Sequence, residues 1–124
     1  MIIPGQPITK KNSQVVRCIQ GKPIVLASKA YRKYEKEAIK IIQSSSSPGK
    51  TFAGPINVKV LYWLKNRRRP DLTNLLQATA DILEKAGVID DDRNIVSWDG
   101  SRIAGVSSMP RAEIDIIEAH EQQQ

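Results

Sequence analysis

The sequence predicts a small single α+β domain, with two main helices packed on a mixed or mostly antiparallel sheet. Three observations carry this: short apolar runs separated by turn formers in the first quarter, a two-residue apolar alternation in the middle, and a stretch of helical periodicity on either side of that alternation. A chain of 124 residues is long enough for one core and too short for two ordinary domains. Residues 1–117 are therefore read as one domain and 118–124 as a polar tail.

Taken in order, Ile2-Ile3, Val15 to Ile19 and Ile24 to Leu26 read as short strands, with a hairpin near Gly21. Ser28 is placed to cap a helix in which Tyr31, Tyr34, Ala38, Ile41 and Ile42 recur at helical spacing. Lys29, Arg32, Lys33, Lys36 and Lys40 fall between them and give that helix a basic outer face. It is expected to end in the loop Ser44 to Gly49, whose composition buries nothing. Ile56, Val58, Val60, Tyr62 and Leu64 alternate with Asn57, Lys59, Leu61 and Trp63 as in a strand with at least one buried face. Pro70-Asp71 opens a second helix with the stripe Leu72, Leu75, Leu76, Thr79, Ile82, Leu83 and Ala86, and Gly87 follows as its C-terminal stop. Beyond an Asp-rich link, Asn94 to Trp98 reads as a strand, Asp99-Gly100 as a two-residue turn, and Arg102 to Val106 as the returning strand. Ala112 to Ile117 alternates as a last strand.

The charge balance narrows the partners. Lys and Arg exceed Asp and Glu by enough to leave +6, which suits a polyanion because each neutralised phosphate releases counterions. Cys18 is the only cysteine, which excludes an intrachain disulfide and a thiolate zinc cluster and fits a reducing cytoplasm. No stretch approaches the roughly 18 apolar residues of a membrane span, and Met1 to Gly5 does not begin a leader, so a cytoplasmic protein is expected. No P-loop and no Ser, His and Asp grouping is visible, and His120 lies in the tail.

The stretch Lys65 to Asp92 holds the candidate chemistry. Arg67, Arg68 and Arg69 leave a strand just before Asp71, so the basic run and this carboxylate share one corner of the fold. The helix then carries the chain about 22 Å away at about 1.5 Å per residue, and the strand after Asp90, Asp91 and Asp92 has to come back beside the first one. Should that return bring the acidic link towards Asp71, the carboxylates would share a cation. Phosphodiester hydrolysis needs an activated water and a sink for charge on the phosphoryl oxygens, and Mg²⁺ held by two or three carboxylates supplies both. Arginines beside it would grip phosphates in bidentate fashion. Each residue also has a plainer reading: Asp71 as a helix cap, Asp90 to Asp92 as a solvated turn, Asp99 as half of a hairpin dipeptide, Asp81 as surface charge, and the arginine run as a solvated face.

Arg68-Arg69-Pro70-Asp71-Leu72-Thr73-Asn74-Leu75, then Asp81, Ala86 to Ile89 and Asp91-Asp92-Arg93-Asn94-Ile95, closely resemble the signature of the RusA family of Holliday junction resolvases. Pro7 to Ser13 and Pro23 through Arg32 resemble that family's start. The resemblance implies a homodimeric nuclease that binds four-way DNA junctions and, with Mg²⁺ (or Mn²⁺), makes paired nicks in strands of like polarity, in a bacterial or phage-infected cell. It carries the family's catalytic carboxylates onto Asp71 and Asp92, with Asp91 as a supporting ligand. The residues expected to hold the DNA backbone beside these carboxylates are Lys10, Lys11, Arg67, Arg68 and Arg69, then Lys29 and Arg32, with Asn12, Thr73 and Asn74 in support and Asn74 orienting Asp71 or capping the helix. Two positions depart from the pattern. Thr73 stands where many relatives have a second Asp, and Gln77 where some have Lys. Asp99 is then the candidate to replace the missing carboxylate as a metal ligand, and the alternative reading is a branched-DNA-binding protein with impaired cleavage.

Overall fold

Strict alternation makes β4 (Ile56–Leu64) the spine of the fold: Ile56, Val58, Val60, Tyr62 and Leu64 are each at most 1% exposed, while the residues between them are half-buried. The computed structural model describes residues 1–10, 14–45 and 51–119. β1 (Ile2–Pro4), β7 (Arg111–Glu118) and β4 lie side by side, antiparallel at both junctions, with Ile3 opposite Ala112 and Val60 opposite Ile114. On its other side β4 pairs in parallel with β5 (Ile95–Ser97) near its start and with β6 (Arg102–Val106) near its end. The sheet is therefore mixed and five-stranded. A separate antiparallel hairpin, β2 (Gln14–Ile19) and β3 (Lys22–Ala27), turns through Gln20 and Gly21, which both have positive φ as a tight two-residue hairpin turn requires.

Both helices cover the buried face of β4. α1 (Lys29–Ser45) starts where the Ser28 hydroxyl accepts the Tyr31 N–H, and it sends Tyr31, Ala38 and Ile42 inward. It runs two residues into the serine tract expected to be loop, and there the Ser44 and Ser45 hydroxyls donate to the Ile41 and Ile42 carbonyls. α2 (Leu72–Lys85) buries Leu75, Ala78, Thr79, Ala80, Ile82 and Leu83 and gives way at Gly87, whose φ of 78° few other residues adopt. Ala38, Ile42, Leu75, Ile82 and Leu83 meet the β4 side chains in one core. The Tyr62 hydroxyl and Thr79 Oγ1, both buried, satisfy each other across 2.6 Å.

The Asp99-Gly100 turn does not reverse the chain. β5 and β6 run in the same direction along β4, so the dipeptide forms an interruption between two collinear strands, contrary to the hairpin expected from it. Asn57 explains why. Its side-chain oxygen accepts the Asp99 N–H at 2.9 Å, its amide donates to the Asp99 carbonyl at 3.3 Å, and the Ser97 hydroxyl donates to it as well. Beyond it the Ser101 hydroxyl accepts the Val60 N–H and donates to the Val58 carbonyl, standing in for ladder bonds that the interruption removes.

Strand, helix and strand thus form a parallel crossover, and α2 returns the chain to the end of β4 where β4 began. The segment entering β4 grips the exit of α2: Phe52 N–H donates to the Val88 carbonyl, Asp90 N–H to the Phe52 carbonyl, and the Thr51 hydroxyl to the Gly87 carbonyl. The single 3-10 turn of this region, Asp92–Asn94, follows directly and packs against α2.

Candidate active site

Two acidic centres stand at opposite ends of α2. The first is at the corner where β4 gives way to Lys65–Pro70. There the Lys65 N–H donates to Gln6 Oε1 and the Arg68 N–H to Asn66 Oδ1, which bends the chain and leaves Arg67, Arg68 and Arg69 exposed. Among the described residues none of these arginines enters a salt bridge. A depression of about 400 Å³ lined by Leu64, Asn66, Arg67, Arg69 and β6 adjoins the run, and Arg68, Arg69 and Pro70 line a second of about 350 Å³ together with Gln6–Thr9.

Asp71 closes this corner. Its backbone is extended, it caps α2, and its Oδ1 accepts both the Thr73 N–H at 3.0 Å and the Thr73 hydroxyl at 2.6 Å. The plain reading of Asp71 as a cap therefore holds, and the same bonds fix the direction of an exposed carboxylate beside three cations. The capping role considered for Asn74 falls to Asp71 itself.

The second centre lies past the other end of α2. Asp91 caps the 3-10 turn and accepts from the Arg93 N–H at 2.9 Å and from its guanidinium at 3.1 and 3.2 Å. The Arg93 backbone N–H, and after it the guanidinium, hold the Asp91 carboxyl below the usual carboxylate range. Asp92, half-buried, is the next residue in the turn.

α2, 14 residues at about 1.5 Å each, is roughly 20 Å long, with Asp71 at its start and the Asp91–Asp92 turn beyond its end. The three carboxylates expected to share a cation thus come from the two ends of one helix. Among the described residues no three Asp, Glu, His or Cys side chains are grouped to hold a metal ion. Asp99, the candidate to replace the carboxylate missing at Thr73, lies near the start of β4, its backbone tied to Asn57, and lines a depression with Lys59 and Asp115. Lys29 and Arg32 are exposed on α1, on an element other than the arginine corner, and Lys10 is exposed beside Thr9. Lys11 and Asn12 lie outside the described residues. Sequence reasoning missed Gln6, Asn66, Asn57 and Arg93, which hold the candidate residues in place. Only Arg93 had a local signal, an arginine two residues after an aspartate at a turn.

The family model of Endodeoxyribonuclease RusA matches residues 4–117, nearly the whole chain. The chain belongs to the RusA endodeoxyribonuclease family. As a RusA-family chain it is a nuclease by descent, and the match spans the arginine corner, Asp71 and the Asp91-Asp92 turn alike. No curated protein matches the chain. Among the described residues no helix of this RusA-family chain is long and apolar enough to cross a membrane.

Proposed function

We propose that this RusA-family chain is a Mg²⁺-dependent, structure-selective endodeoxyribonuclease that resolves four-way junctions by paired nicks. The observation that carries the reading is the Asp71 carboxylate, aligned by Thr73 at the corner where Arg67, Arg68 and Arg69 emerge. Mg²⁺ prefers oxygen ligands and keeps several waters, so one or two carboxylates with a substrate phosphate suffice, and aspartates are a fitting donor set. Such an ion, or Mn²⁺ in its place, supplies an activated water and neutralises charge on the phosphoryl oxygens. In this reading Thr73 aims Asp71, and the arginines grip the flanking phosphates and hold the scissile bond at the carboxylate.

The placing of Asp71 at one end of α2 and of Asp91 and Asp92 past the other favours a particular form of the enzyme. A homodimer that brings Asp71 of one copy to Asp91 and Asp92 of the other builds two equivalent sites about a two-fold axis, the symmetry that paired nicks demand. The test uses a labelled four-way junction and a plain duplex, with and without Mg²⁺. The intact protein is expected to give paired nicks in the junction alone. Asp71→Asn and Asp92→Asn are each expected to be inactive, while their equimolar mixture recovers single nicks, because a mixed dimer keeps one whole site. Activity absent from the mixture would reject the shared site. Retention of the junction without nicks by the intact protein would establish instead the binding protein with impaired cleavage to which Thr73 points.

A further inference from the structure

Four lysines form a straight line on the outside of α1. Lys29, Lys33, Lys36 and Lys40 follow one another at four, three and four residues, which at about 100° per residue keeps them within an arc of about 60°. All four are exposed, and the buried residues Tyr31, Ala38 and Ile42 lie on the opposite side of the same helix. The core therefore fixes the direction in which the row points.

The row is not arranged for the benefit of the helix. Among the described residues none of the four takes part in a salt bridge, although Glu37 stands one turn from Lys33, and Glu35 is engaged by Lys85 of α2 instead. Neighbours three and four apart carry like charge and repel. The first turn has no acidic residue and holds Lys29, where the helix dipole disfavours a cation, and the last turn, where it favours one, has no basic residue. A line of cations that makes no salt bridge among the described residues, and whose direction a core fixes, is what a line of phosphates complements.

The row is about 16 Å long at about 1.5 Å per residue, and a duplex presents one phosphate per about 3.4 Å of axis on each strand. One strand thus offers at least as many phosphates as there are lysines, and flexible side chains can reach them without exact register. A membrane surface fits less well, because the apolar side of α1 is spent in the core and the outer side offers no large apolar residue.

We propose that Lys29, Lys33, Lys36 and Lys40 form a second DNA-contact surface, distinct from the arginine corner, that carries the backbone of a duplex arm leading away from the branch point. The proposal rests on the branched-DNA reading above and adds to it where an arm lies. It is tested by measuring junction affinity against salt for the intact protein and for Lys29→Gln/Lys33→Gln/Lys36→Gln/Lys40→Gln. Four lost phosphate contacts flatten the slope of log K against log salt by about 3.6, at about 0.9 per contact. The intact protein is also expected to bind long-armed junctions more tightly than short-armed ones, and the variant to lose that preference. Glu37→Lys, which adds a cation at the edge of the row, is expected to steepen the slope by about 0.9 and needs no loss of charge to be tolerated by the fold.

An unchanged slope in both variants overturns the proposal even where the intact protein nicks junctions. A flattened slope sustains it even where no nick is made, so its failure and that of the nuclease reading are told apart. A loss seen on anionic vesicles and not on DNA would overturn it in favour of a lipid surface.

Discussion

The Thr73 hydroxyl donates to Asp71 Oδ1 across 2.6 Å, and the Thr73 N–H donates to the same oxygen. Thr73 therefore acts on the Asp71 carboxylate, by holding it. Thr73→Val keeps the side-chain shape and the backbone bond but removes the hydroxyl. A charge-assisted hydrogen bond of about 1.5 kcal/mol corresponds to about a tenfold loss in nicking rate, while Thr73→Ser is expected to stay near the starting rate. Single-turnover nicking of a four-way junction measures both, and a Thr73→Val protein at full rate would remove the positioning role.

Asp71 has two duties that substitutions separate. As a cap, Asn serves about as well as Asp, whereas Ala costs about 1 kcal/mol. Asp71→Asn is therefore expected to unfold within a few tenths of a kcal/mol of the parent and to be inactive, and Asp71→Ala to be both inactive and less stable by about 1 kcal/mol. Urea denaturation alongside the nicking assay decides between them. An active Asp71→Asn would leave this residue with its structural duty alone.

Elements whose signal is local were legible in the sequence. The five alternating side chains of β4 and the stripe of α2 from Leu75 to Leu83 announce their buried faces, and Ser28, Asp71 and Gly87 mark helix ends by their own chemistry. What failed depends on distant partners. Asp99-Gly100 looks like a hairpin turn because that dipeptide tolerates positive φ, yet its hydrogen bonds come from Asn57, some forty residues earlier, and they hold it inside an extended run. The placing of Asp71 and Asp92 turns on a pairing of the same kind. A crossover helix returns the chain to the starting end of the first strand, so the parallel pairing of β5 with β4 puts the helix's length between the two carboxylates. That consequence was available from the strand, helix, strand order once the pairing was taken as parallel.

The pair formed by Tyr62 and Thr79 ties α2 to β4 in the interior. Both oxygens are buried and 2.6 Å apart, and burial pushes the Tyr62 phenol above its ordinary range, so it stays protonated. Tyr62→Phe leaves a buried hydroxyl without its partner and is expected to cost about 1–3 kcal/mol, as is Thr79→Val. The double variant removes both polar groups and is expected to cost less than the sum of the two. Urea unfolding of the four proteins closes this cycle, and strict additivity would mean the bond contributes nothing.

The Asp91 turn makes a prediction in pH. With its folded pKa depressed below the unfolded value of about 3.9, Asp91 contributes stability that is fully present above about pH 4 and is lost as the pH falls through the folded pKa. The largest cause is the Arg93 backbone N–H, which survives any ordinary substitution, and the guanidinium comes second. Arg93→Ala is therefore expected to raise the Asp91 midpoint only part of the way towards that of an unperturbed aspartate. Carboxyl-carbon NMR titration of the two proteins reads this directly. A full return to the ordinary value would show that the side chain, and not the capping bond, holds Asp91 ionised in acid, while an unmoved midpoint would show that the exposed guanidinium is screened by water to no effect.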